Sequence, residues 1–245
     1  MNLIDMIPIV QILFLFSSAL LQSEQIDTLA LFHGSRIEKK IALTFDACPS
    51  STHRGFDSSI VQTLVDSGVP ATFFLSGKWI VKHRRETKML ASVPNFELGN
   101  HSYSHPHCIT ISDDSVLHEL QRIELLLKNI SKTSSHLFRP PYAETDGRIN
   151  RIAQNLGLVT VMYDLASGDP DSTVSRERLI RYVVSHARNG SIIVMHVNGR
   201  GWHTAEALPE IIQLLRRKGF VFMKVSDLLA LYGSANDSSI KKKNR

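Results

Sequence analysis

From residue 41 onward, short apolar runs alternate with longer amphipathic stretches. The runs at 41–45, 71–75, 96–99, 137–139, 159–163, 191–195 and 221–224 are rich in Val, Ile and Phe and have the length of strands, not helices. Between the third and fourth runs, Val116, Leu120, Ile123, Leu127 and Ile130 recur at alternating four- and three-residue steps, which puts them on one face of a helix. Ser112 is placed to cap that helix, and Asp113 and Asp114 suit its positive end. A further helix carries Leu208, Ile211, Ile212 and Leu215 and stops at Lys218-Gly219. Strands separated by helices predict an α/β chain with a parallel sheet of about seven strands, open or closed into a barrel. In either case ligands gather at the carboxyl ends of the strands.

The first segment breaks this pattern. Residues 6–23 carry no charge and are dominated by Ile, Leu, Phe and Val, a run shorter than a bilayer-spanning helix and suited to the apolar region of a secretory signal. Ser17, Ser18, Ala19 and Ser23 mark the region of cleavage. A leader over 1–23 therefore precedes one domain over 24–235, and a basic tail over 236–245 ends the chain. The n-region holds Asp5 and no Lys or Arg, so an uncleaved membrane anchor and a buried helix stay open beside cleaved export.

Composition adds little that is specific. Hydrophobic residues make up 43% of the 245 positions, enough for one sizeable core. The formal charge of +5 does not imply nucleic acid, because Lys241, Lys242, Lys243 and Arg245 carry four of those charges and leave about +1 for the rest. The two cysteines, Cys48 and Cys108, form no C-x-x-C pair; they fit one disulfide or two buried thiols equally well.

The strand ends, by contrast, concentrate reactive groups. The first ends in Thr44-Phe45-Asp46, the third runs into His101-Ser102-Tyr103-Ser104-His105, and the fourth ends in Arg139-Pro140-Pro141-Tyr142. Asp164 and Asp169 follow the fifth, and His196 closes the sixth. A tight helical turn over 102–104 would let His101 and His105 converge on one metal ion, with a carboxylate completing a three-ligand face open to water and substrate. Such a metal polarises an amide carbonyl. Asp46 and His196, facing the same mouth, are placed to serve as general base and general acid.

In this order the segments resemble the polysaccharide deacetylases with the NodB-homology domain, a group of carbohydrate esterases, over about residues 39 to 232. Thr44-Phe45-Asp46 resembles the first family motif, His101-Ser102-x-x-His105 the second and Arg139-x-Pro141-Tyr142 the third. Asp169 stands for the fourth and His196 for the fifth. The resemblance implies a distorted, incomplete (β/α) barrel, a divalent metal that is usually zinc, and hydrolysis of N-acetyl or sometimes O-acetyl groups on glycans; with the expected leader, that activity is placed outside the cytoplasm. It assigns Asp46 as base, His101 and His105 as metal ligands, and His196 as acid held and tuned by Asp169. It also has Arg139 orienting Asp46 and the Tyr142 backbone N–H meeting the oxyanion.

Two departures stand out. The second Asp of the first motif, a metal ligand, is replaced by Ala47, and Pro170 takes the place of an aromatic residue. Asp57, where the loop over 48–56 meets the next helix, is a candidate for the missing carboxylate; its other role is helix N-cap, and His53 is a competing ligand. Met195 and Leu165 are candidate walls for the acetyl methyl, Trp202 a platform for a sugar ring. A small-amide hydrolase and a non-catalytic glycan-binding protein remain as competing functions.

Overall fold

The computed structural model describes residues 30–49, 55–132 and 135–230. The leader, the basic tail and the loop bearing His53 lie outside the described residues. The strands are β1 (Lys40–Ala47), β2 (Ala71–Leu75), β3 (Phe96–Asn100), β4 (Leu137–Phe138), β5 (Val159–Thr160), β6 (Leu165–Ala166), β7 (Ile192–His196) and β8 (Val221–Phe222). They pair in the order β5-β4-β3-β2-β1-β7-β6, every pair parallel, and β8 joins the start of β1. This is the expected incomplete (β/α) barrel. Leu31 pairs with Val161 and His33 with Ser191, so residues 31–34 tie the two sides of the open sheet together.

Side-chain alternation along the strands divides the apolar residues into two layers. Leu43, Phe45 and Ala47 of β1, with Phe73 of β2 and Ile193 and Met195 of β7, point outward into the large core shared with the helices. Ala42, Phe74 and Ile192 point inward, where they meet Leu137, Val161, Val225 and Leu228. That inner layer fills the barrel, and the polar ends of the strands emerge above it.

All seven expected strands form, and an eighth, β6, went unpredicted because two residues carry no readable period. The run at 159–163 leaves the sheet early: Met162 N–H bonds to Leu31 instead. The helices are α1 (Ser58–Asp66), α2 (Gly77–Lys82), α3 (Arg84–Ser92), α4 (Asp113–Ser131), α5 (Gly147–Asn155), α6 (Arg176–His186) and α7 (Thr204–Arg217), of which α1, α4 and α7 occupy their expected places. Ser112 caps α4 through Ser115 N–H, and Lys132, with φ 64°, ends it.

Cys48 and Cys108 are both buried, free thiols, which resolves the choice left open by their number. Burial pushes the Cys108 thiol up to about 12, so it stays protonated.

At Gly99 in β3, an added Cβ would lie 2.5 Å from Cδ1 of the buried Phe74. Gly99→Ala is therefore expected to lower the unfolding free energy by about 1–3 kcal/mol, measured by denaturant titration. An unchanged midpoint would mean that the inner layer yields freely.

Candidate active site

Asp46 and His196 are register partners on the adjacent parallel strands β1 and β7, which carries both side chains to one mouth. Asp46 is buried. Its Oδ1 accepts a 2.8 Å hydrogen bond from Arg139 Nη1, and Oδ2 lies 3.9 Å from His101 Nε2. Burial favours the neutral acid, but the charge and hydrogen bond of Arg139, helped by the nearby His196, outweigh it and hold the carboxyl below its usual range.

Arg139 is itself buried. It also donates to Thr44 Oγ1 (2.8 Å), Met162 O (3.0 Å) and Val161 O (3.4 Å), and its guanidinium rests 4.0 Å from the centre of the Phe74 ring. Its own carbonyl accepts from His101 Nδ1 at 2.7 Å. A carbonyl can only accept, so Nδ1 carries the proton and Nε2 keeps its lone pair.

His101 and His105 do converge, with ring centres 4.8 Å apart, though not through a helical turn. Ser102 and His105 instead take left-handed backbone (φ 58° and 62°), which folds the loop back on itself. Asn100 Oδ1 accepts from Ser102 N–H, and Ser102 Oγ from His105 N–H. Helix α4 grips the same loop: Glu119 accepts from Ser104 N–H and Oγ–H, and Asn100 Nδ2 donates to Leu120 O and Glu124. Desolvation, with His101 nearby, lowers the His105 pKa to about 3, leaving that ring neutral at ordinary pH.

Across the cleft, Asp169 is buried and accepts four hydrogen bonds. Oδ1 takes His196 Nδ1 (2.9 Å) and Ser167 Oγ (3.0 Å); Oδ2 takes His196 backbone N–H (2.8 Å) and Thr204 Oγ1 (2.7 Å). This fixes the His196 ring and leaves Nε2 as the nitrogen available to the cleft. Burial opposes a charge on His196, but the attraction and hydrogen bond of Asp169 prevail and raise its pKa. Gly201 packs against this pair; a Cβ there would lie 2.6 Å from Asp169 Oδ2 and 2.7 Å from His196 O.

The cleft has a volume of about 240 Å³ and is lined by Asp46, His101, His105, Tyr142, Asp169 and His196, among others. Tyr142, in left-handed backbone (φ 57°), stacks on His107 at 3.9 Å, and His107 Nδ1 bonds to Glu144. Sequence reasoning missed Cys48, Tyr163 and Arg200, which also line it. Cys48 was readable in principle, since alternation from Asp46 returns position 48 to the same face.

Other candidates are placed elsewhere. Met195 and Leu165 point into the outer core, and the neighbours Val194 and Ala166 line the cleft in their stead. Trp202 is 57% exposed and not among the lining residues. Asp164 bonds to Arg36, Ser191 and Ile192 N–H, outside the lining. Asp57 takes the N-cap role: Oδ1 accepts Ser59 N–H at 3.0 Å, and its side chain does not line the cleft. Two neutral imidazoles suit a divalent metal, with the His101 tautomer already set for ligation. Among the described residues, however, no group of three His, Cys, Asp or Glu is placed to complete such a site.

The polysaccharide deacetylase family model matches residues 33–161. A bifunctional xylanase/deacetylase of Pseudobutyrivibrio xylanivorans is 31% identical over 201 residues, covering 80% of this chain and 31% of the relative. The chain thus spans under a third of that relative's length. The peptidoglycan-N-acetylmuramic acid deacetylase PdaA of Bacillus subtilis is 27% identical over 82% of this chain and 75% of its own. A CE4 family pseudoenzyme from Bacillus anthracis superposes with a TM-score of 0.75 at 26% identity, covering 82% of this chain and 69% of that one. With the fold and the ordered motifs, these matches show that the chain belongs to the polysaccharide deacetylase family.

Proposed function

We propose that this chain removes N-acetyl groups from an N-acetylated polysaccharide or oligosaccharide outside the cytoplasm, using a divalent metal, most simply zinc. One observation carries the reading: a carboxylate bonded to a buried guanidinium and an imidazole bonded to a buried carboxylate face each other on register-paired positions of β1 and β7. Arg139 keeps Asp46 ionised until it takes the proton of the attacking water. His196 then delivers its Nε2 proton to the departing amine, and Asp169 stabilises the imidazolium until that transfer. Tyr142, which lines the cleft beside His105, would meet the oxyanion through its backbone N–H. Held by His101 and His105, the metal would supply carbonyl polarisation and a more acidic water.

The relatives named above include a bifunctional xylanase/deacetylase and a peptidoglycan-N-acetylmuramic acid deacetylase, which supports a glycan over a small amide. The leader supports export. A non-catalytic glycan-binding protein is the second reading, favoured by Ala47 and by the pseudoenzyme relative. Against it stand the two complete ion pairs, which binding alone does not require.

Protein purified from an extracytoplasmic fraction is expected to release acetate from peptidoglycan strands or chitin-type oligomers; release from acetylated xylan alone would mean O-deacetylation and refute the N-acetyl reading. Chelation should abolish release and zinc restore it. Activity that survives exhaustive chelation refutes the metal, and no release from any glycan refutes the enzyme.

Asp46→Asn and His196→Ala are each expected to lower turnover by about two orders of magnitude or more, with the fold intact by circular dichroism. The raised His196 pKa places the alkaline limb of the pH profile above the ordinary 6.5, with activity lost as pH rises through it. Asp169→Asn should move that limb to lower pH. A limb that stays in place would remove His196 as the acid.

A further inference from the structure

Within the cleft the charges of the reaction machinery are matched. Asp46 is bonded to Arg139 and Asp169 to His196. Arg200 also lines the cleft, and its guanidinium meets no carboxylate among the described residues; Nη1 lies 3.8 Å from Cys48 Sγ. Residues 50–54, just beyond Cys48, contain no acidic side chain. Glu144, the acid nearest to Tyr142 in sequence, is bonded to His107.

The segment presenting Arg200 is fixed on both sides. Asn198 Nδ2 donates to Cys48 O (2.8 Å) and Sγ (3.2 Å), and Trp202 N–H donates to Asp169 O (3.1 Å). Gly199 takes left-handed backbone (φ 80°), and Gly201 is packed against Asp169 and Thr204. The arginine is therefore carried by a turn bolted to the end of β1 and to the partner of His196. Its charge works against the imidazolium of His196. A cation that opposes the acid is useful when the substrate brings an anion to neutralise it.

We propose that Arg200 is a specificity residue that recognises a carboxylate on the glycan, so that the preferred substrate is an acidic N-acetylated polymer. This rests on the deacetylase reading above. The planar guanidinium presents two parallel N–H groups to a carboxylate, a geometry that an ammonium group lacks. The carboxylate has two possible sources: a lactyl ether on the acetylated sugar itself, or a uronic acid on its neighbour.

The test compares wild type, Arg200→Gln and Arg200→Lys on peptide-free N-acetylmuramic-acid-containing strands, on the same strands with carboxylates reduced to alcohols, and on a polymer of alternating N-acetylglucosamine and glucuronic acid before and after reduction of its uronic acid. Wild type is expected to favour one carboxylated substrate over its neutral counterpart by roughly tenfold in kcat/KM, a preference that shrinks with added salt. Arg200→Gln should lose that preference and Arg200→Lys retain part of it. The substrate pair that shows it identifies the source. No preference in wild type, or an equal preference in Arg200→Gln, overturns the proposal. Should no substrate release acetate, the deacetylase reading fails, and calorimetric affinities for carboxylated and reduced strands decide the role of Arg200. A carboxylate preference in binding that vanishes in Arg200→Gln upholds anion recognition, and one that is absent or persists overturns it.

Discussion

A guanidinium removed from water must find acceptors for its N–H groups, and Arg139 finds them on β1 and in the segment that follows β5. It bonds to Thr44 and Asp46 on β1 and to the carbonyls of Val161 and Met162 beyond β5, while its own carbonyl receives His101. Removing one partner of a buried charged pair leaves the other exposed to the full desolvation penalty. The base, one imidazole of the candidate metal pair and the inner wall of the barrel therefore share a single support. The Phe74 ring beneath it closes the apolar layer, so the polar cluster is built directly on packed hydrocarbon.

The same mouth holds two ionisable groups whose environments push in opposite directions. Arg139 stabilises the negative charge of Asp46, while Asp169, with four donors of its own, stabilises the positive charge of His196. Burial opposes both charges, so each depends on its partner. Separate partners let one cleft keep a base and an acid ready at the same pH. His105, without such a carboxylate, stays neutral and free to ligate.

Much of this was legible in the sequence because it depends on period and order. Apolar runs located all seven expected strands, and placing Asp46, His101, Arg139, Asp169 and His196 at or beyond strand ends predicted their convergence. The errors arose where short-range geometry decides. Met195 adjoins His196, yet the two-residue alternation of a strand turns it into the opposite layer. The histidine loop turns through left-handed residues that no helical spacing signals. Asp57, weighed both as ligand and as helix N-cap, takes the N-cap place, where a carboxylate meets the backbone N–H groups of the first turn. Arg200 was passed over because its meaning lies in a missing partner, which only three-dimensional neighbours reveal.

Arg139→Lys tests whether the guanidinium holds Asp46 ionised, because it keeps the charge and removes the fork. The measurement is the pH dependence of kcat/KM for this variant beside wild type, with folding checked by circular dichroism. The acid limb is predicted to move to higher pH, as Asp46 loses its hydrogen-bonded partner and its pKa rises, while the alkaline limb set by His196 stays in place. An acid limb that does not move would contradict the account.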